Sequence, residues 1–120
     1  MKLADEKCVP CLGGTPPMQR HRAEALLQEL QDGWQLNEHG HLERTYKFKN
    51  FRQAMAFANK VAERAEVEGH HPDLYIAWGR CRVEVWTHKI RGLTESDFYF
   101  AAKADRALEE SSAKDIGETI

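Results

Sequence analysis

No stretch of this chain approaches the roughly 20 apolar residues that a membrane-spanning helix takes, so a membrane protein of that kind is not expected. Cysteine is scarce. The count is three, an odd number and a poor disulfide framework, which fits a reducing compartment. Charge of one sign is not in excess: 17 basic residues stand against 19 acidic ones, for a net of -2. A general nucleic-acid binder usually shows a basic surplus, so none is expected. Residues Met1 to Lys7 lack the apolar segment of a secretory signal, and a cytoplasmic protein is expected. Phosphate-loop and nucleotide fingerprints are missing, since Gly13-Gly14 alone carries no such meaning. Without a Gly-x-Ser-x-Gly elbow, serine hydrolysis has no candidate nucleophile.

What is present suffices for one domain with a real core: 120 residues, 42% of them hydrophobic. Residues 1–14 read as a flexible, irregular arm, 15–110 as the domain and 111–120 as a frayed polar tail. Thr15-Pro16-Pro17 reads as a helix start, and Ala23, Leu26, Leu27 and Leu30 give that helix an apolar stripe to about Gln31. Trp34 and Leu36 begin a strand. After the turn Asn37-Glu38-His39-Gly40, Leu42, Arg44, Tyr46 and Phe48 alternate with polar neighbours as a second, although Arg44 breaks the apolar pattern. Asn50 is a good N-cap for a second helix to about Glu68, with Phe51, Met55, Ala58, Val61, Ala62 and Ala65 on one face and Gly69 as its breaker. Leu74, Ile76 and Trp78 make a third strand. Cys81, Val83 and Val85 face inward on a fourth, with Arg82, Glu84, Trp86 and His88 on its other side. Thr94-Glu95-Ser96-Asp97 looks like a capping box opening a third helix, to about Glu110. The expected class is α+β, in the order α-β-β-α-β-β-α.

Six histidines are present, and His70 and His71 stand side by side before Pro72. Histidine is the side chain whose ordinary pKa, roughly 6.5, lets it give or take a proton near neutrality. Glu66 precedes His70 by four residues and shares its helix face if the last turn holds. His88 closes the hairpin that starts just after His71, and Asp97 follows one short loop later. One end of the sheet can therefore gather Glu66, His70, His71, His88 and Asp97. Singly, each has an ordinary reading as solvated surface or, for Asp97, as a favourable charge in a first helical turn. Their joint occurrence carries the weight. A metal is not expected. Cys8-Val9-Pro10-Cys11 has no second pair, Cys81 is alone on a core face, and adjacent histidines do not match helical ligand spacing.

The spaced set Glu66-x3-His70-His71-Pro72, Trp78, His88 and Asp97 resembles the signature of the pterin-4a-carbinolamine dehydratase family. So do Tyr46-Lys-Phe-Lys-Asn-Phe51 and Thr87-His88-Lys-Ile-Arg-Gly-Leu-Thr-Glu-Ser-Asp97, and the likeness extends over roughly residues 15 to 108. It implies a four-stranded antiparallel sheet with three helices on one face, and a homodimer or homotetramer formed partly by joining sheet edges. It implies dehydration of a 4a-hydroxytetrahydropterin to a quinonoid dihydropterin, with no metal or cofactor, in the service of an aromatic amino-acid hydroxylase. By this resemblance His70 and His88 are the acid and base, and Glu66 orients His70. Asp97 does the same for His88 or only caps its helix. His71 and Pro72 bind the pterin with Thr87, His88, Lys89 and Ile90, and Trp78 supports the site. The same family implies one alternative, a non-catalytic pterin-binding, dimerisation or regulatory module, since mammalian members also serve a homeodomain transcription factor. Those members carry Trp where Leu74 stands here, which leaves the pterin side-chain preference open.

Overall fold

The structure is a computed structural model that describes residues 3–8 and 16–115, the side chains of 111–115 excepted. The elements run α1 (Arg20–Leu27), β1 (Gln35–Leu36), β2 (Leu42–Lys47), α2 (Phe51–Glu68), β3 (Asp73–Ala77), β4 (Arg80–Val85) and α3 (Glu95–Asp115). The expected α+β order is therefore observed. The four strands form one antiparallel sheet in the order β1-β2-β4-β3. Strand alternation decides which side is covered: Leu42 and Tyr46 of β2 and Cys81, Val83 and Val85 of β4 are buried with Phe57, Val61, Phe98 and Phe100 of the helices in one core.

Caps set the bounds of α2. Asn50 is extended and its side-chain oxygen accepts from the Gln53 N–H at 2.8 Å. Gly69 ends the helix in the left-handed region at φ 65°, where a side chain would be strained, and both its N–H and that of His70 donate to the Ala65 carbonyl. The buried face differs from the expected one. It is Ala54, Phe57, Ala58, Val61 and Ala65, while Phe51 and Ala62 are exposed. Phe51 sits at the helix entrance, and Phe57 fills the core against Tyr46 and Phe48 instead.

Three further expectations are corrected. Helix α1 starts at Arg20, not after Thr15. Thr15 lies outside the described residues, and 16–19 after it are not helical, tied to the rest by the Met18 N–H on the Leu93 carbonyl at 2.9 Å. Residues 3–8 are not a loose arm but dock on α2 and α3. Lys103 Nζ donates to the Ala4 carbonyl, Arg106 pairs with Asp5, and the Cys8 N–H donates to Glu68. Helix α3 continues past Glu110 to Asp115, so the tail is helical through that point.

Arg44, the residue that broke the strand pattern, does point inward with Leu42 and Tyr46. Its guanidinium donates to Asp105 at 2.7 Å and lies over the Tyr46 ring, while Tyr46 Oη and Trp34 Nε1 donate to the same carboxylate at 2.6 and 2.9 Å. Burial still holds the Asp105 carboxyl above its ordinary value, outweighing those donors.

Gly92 is required for a different reason than Gly69. A Cβ there would stand 2.6 Å from Cβ of Pro17, so the loop after β4 and the segment entering α1 meet without room for a methyl group.

Candidate active site

Asp97 organises the site. It lies in the first turn of α3, its side chain fully buried, and three donors converge on its carboxylate. The Thr94 N–H donates to Oδ2 at 2.8 Å, which is the reciprocal arm of a capping box with Asp in the place of Glu. Thr87 Oγ1 donates to the same oxygen at 2.8 Å. His70 Nε2 meets Oδ1 at 2.6 Å. The exit of α2, the end of β4 and the start of α3 are thus joined at one carboxylate. A carboxylate on Nε2 makes that nitrogen the proton-bearing one and leaves Nδ1 as the ring's lone pair. The His70 imidazole is nearly buried, with Phe100 beside it at 5.9 Å between ring centres.

The expected Glu66–His70 pairing is not observed, and of the two roles expected of Asp97 the helix cap is present, beside a bond to His70. Glu66 does not reach His70. It pairs with His71, Oε2 to Nε2 at 2.7 Å, and both side chains are exposed. The left-handed Gly69 is the reason: past it the chain no longer follows the helix, so His70 is carried toward α3 and His71 turns back over the last turn of α2. Asp97, in turn, bonds His70 and not His88.

His88 opens a single 3₁₀ turn, His88–Ile90, that also holds Lys89. Thr87 and Gly92 close this loop by a bridge, with the Thr87 N–H on the Gly92 carbonyl at 2.8 Å, and Arg91 takes the left-handed φ of 53°. His88 is exposed and rests against Trp86, ring centres 4.3 Å apart. Because Thr87 is bonded to Asp97, the loop carrying His88 is anchored to the carboxylate that holds His70. Pro72 leads from His71 into β3. Trp78 is not part of this cluster. It sits in the β3–β4 turn, at the far end of the hairpin from His71 and His88, and is 71% exposed.

Sequence reasoning passed over His41 and Glu84, which lie behind Trp86. His41 stacks on the indole at 4.1 Å and 4° between planes, and Nδ1 meets Glu84 Oε2 at 2.7 Å. The available signal was the alternation of β4, which puts Glu84 and Trp86 on the face that continues toward His88. Cys8 is half-buried behind the site, its Sγ 3.5 Å from the Ser96 carbonyl, and burial together with Glu68 pushes its thiol up to about 12. Cys11 lies outside the described residues. Among the described residues no group of three or more His, Cys, Asp or Glu side chains is arranged to hold a metal ion, and no helix is long and apolar enough to cross a membrane.

The model of the family described as pterin 4 alpha carbinolamine dehydratase matches residues 16–107. This chain belongs to that family. A Rickettsia bellii protein named "Putative pterin-4-alpha-carbinolamine dehydratase" is 59% identical over 103 residues, covering 86% of this chain and 91% of its own length. A crystal structure titled transcriptional coactivator/pterin dehydratase, from Brucella melitensis, is 33% identical with a TM-score of 0.71, over 77% of this chain and 98% of that one. A pterin dehydratase-like protein titled as a RuBisCO assembly factor of the alpha-carboxysome shares the fold alone. It is 20% identical with a TM-score of 0.55, over 65% of this chain and 92% of that one.

Proposed function

We propose that this protein dehydrates a 4a-hydroxytetrahydropterin, the 4a-hydroxyl leaving as water and the N5 proton going to the enzyme, to give the quinonoid dihydropterin. The observation that carries the reading is the Asp97 junction, which backs one imidazole and anchors the loop of a second. In this scheme His70 is the base. Its Nδ1 lone pair takes the N5 proton, and the Asp97 carboxylate stabilises the imidazolium that forms. His88 is the acid that protonates the departing hydroxyl. His71, Pro72 and the loop from Thr87 to Ile90 bind the pterin, with Glu66 steadying His71. The scheme balances with two protein groups and calls on no metal or cofactor.

A homodimer or homotetramer belongs to the same proposal. β3 is an edge strand, and Tyr75, Ile76 and Trp78 on and beside it are exposed. The reading also places the protein in the cytoplasm, downstream of an aromatic amino-acid hydroxylase. The non-catalytic alternative draws on the fold shared with the assembly factor and on the coactivator part of the Brucella melitensis protein's title.

Stopped-flow dehydration of 4a-hydroxytetrahydropterin, with the unaided rate subtracted, tests the reading. His70→Ala and His88→Ala should each slow the enzyme by about 10²–10⁴-fold, the usual contribution of a general acid or base. A wild-type protein no faster than the unaided reaction would overturn it. Wild-type rates in both variants would overturn the acid–base assignment.

A further inference from the structure

We propose that Glu84, His41 and Trp86 form a positioning stack for His88: the Glu84–His41 pair holds the Trp86 indole, and the indole holds the His88 imidazole where it can transfer a proton. The inference rests on the dehydratase reading, in which His88 touches the substrate.

The stack starts in the turn between β1 and β2. Asn37 Oδ1 accepts from the N–H groups of His39 and His41 at 2.9 and 3.0 Å, and the Asn37 N–H donates to the His41 carbonyl at 2.9 Å. The turn is thereby locked onto itself. Asn37 Nδ2 then reaches Glu84 Oε2 at 2.9 Å and Glu43 Oε1 at 3.0 Å, fixing the turn to β4 and β2. This delivers His41 Nδ1 to Glu84 Oε2. Both side chains are largely withdrawn from water, 15% and 10% exposed.

Such a pair is costly to build on the sheet face opposite the core. Burial alone would raise the Glu84 carboxyl. The hydrogen bonds from His41 and Asn37, with Arg82 nearby, outweigh it and hold the group below its ordinary value. What the pair supports is the indole. The near-parallel stack on His41 fixes the ring plane of the indole, and the bond to Glu84 fixes the imidazole that stacks on it. The same indole is the ring against which His88 lies. His88 is otherwise exposed on a short loop, where two side-chain torsions would be free. The charged and titratable neighbours of His41 are Glu84 from β4, Glu43 through Asn37, and the His39 ring at 5.7 Å. None of them reaches the substrate groups assigned above.

Three variants separate positioning from mere packing: His41→Ala, Glu84→Gln, and His41→Phe combined with Glu84→Gln. The combined variant keeps a stacking ring and removes the charge that would lose its partner. Two readouts are used, stopped-flow kinetics and the NMR shift of the His88 ring protons, assigned by their loss in His88→Ala and displaced by the Trp86 ring current. His41→Ala should lower kcat by about 10–100-fold with KM nearly unchanged, since a misplacement of about 1 Å costs on the order of 10²-fold. The His88 signal should move toward its free position. The combined variant should recover most of both.

Wild-type kcat and an unmoved His88 signal in His41→Ala would overturn the proposal. So would a loss of rate that the combined variant fails to rescue and that follows the fall in Tm. A wild-type protein without dehydratase activity, but with the His88 signal responding as stated, would sink the reaction and leave the stack standing.

Discussion

Asp97→Asn is the substitution that interrogates the site most directly. Asn has the shape of Asp but an amide –NH2 in place of one oxygen. Two of the three donors, the Thr94 N–H and Thr87 Oγ1, converge on Oδ2, so the Asn carbonyl oxygen takes that position. The amide –NH2 is then left facing His70 Nε2. It can only donate, so Nε2 must accept and the ring proton moves to Nδ1. The lone pair that should take the N5 proton disappears, although the backbone and all three contacts survive. Two bonds to a charged acceptor become bonds to a neutral one, at about 1 kcal/mol each, and the third reverses polarity. A loss of about 2–3 kcal/mol follows, or a fall in Tm of roughly 10 °C for a chain of this size. The rate should fall much further than the stability suggests, by about 10²–10⁴-fold in kcat, because the base is present in the wrong tautomer. Nitrogen-15 NMR of the imidazole reads the tautomer, and stopped-flow kinetics read kcat on protein confirmed to be folded. If the Asp97→Asn variant keeps its rate to within about threefold while Nδ1 carries the proton, Nδ1 of His70 is not the base.

Glu66→Gln should change kcat by less than about twofold, because its partner His71 is exposed and solvent screens the pair. A loss comparable to His70→Ala would return Glu66 to the role that the family resemblance implied, orienting His70. Tyr46→Phe removes the donor at 2.6 Å from buried Asp105 and should cost about 1–2 kcal/mol in urea unfolding; an unchanged midpoint would mean that bond is thermodynamically silent. Cys8, its thiol pushed up to about 12 by burial and Glu68, should react with iodoacetamide at pH 7 at least about tenfold more slowly than an ordinary thiol in a protein carrying Cys11→Ser and Cys81→Ser. Free-thiol rates would place it in water, away from Glu68 and Ser96. Glu84 is held below its ordinary value in the folded state, so its contribution to stability is complete above about pH 4.5 and is lost as pH falls through the folded value. Glu84→Gln should flatten that acid limb of a Tm–pH curve, and an identical limb would contradict it.

Local chemistry made much of this readable in the sequence. Asn50 and Gly69 bound α2 because caps act through the few residues next to them, and β4 alternates as it should because one of its faces is wholly buried. The histidines were recognisable by type and spacing. Their partners were not, because partnership depends on what the chain does after a helix ends. The four-residue spacing of Glu66 and His70 holds only inside a helix, and Gly69 breaks it one residue too soon. Arg44 looked like a defect because Asp105, its partner, lies 61 residues further along. The phase of α2 was misjudged for a similar reason: Phe51 is apolar, but at the entrance of the helix there is no core for it to face.

The close meeting of Gly92 and Pro17 has a practical consequence. The ribbon that leads into the first helix acts as a backstop for the loop that bears His88, although the two are far apart in sequence. Replacing Pro17 by Gly would keep every side chain assigned to the pterin site and leave the docked residues 3–8 in place. It would nonetheless remove the wall on which that loop leans. Such a variant should fold, and its loop should stand slightly open, a weaker enzyme for want of a residue that never meets the substrate.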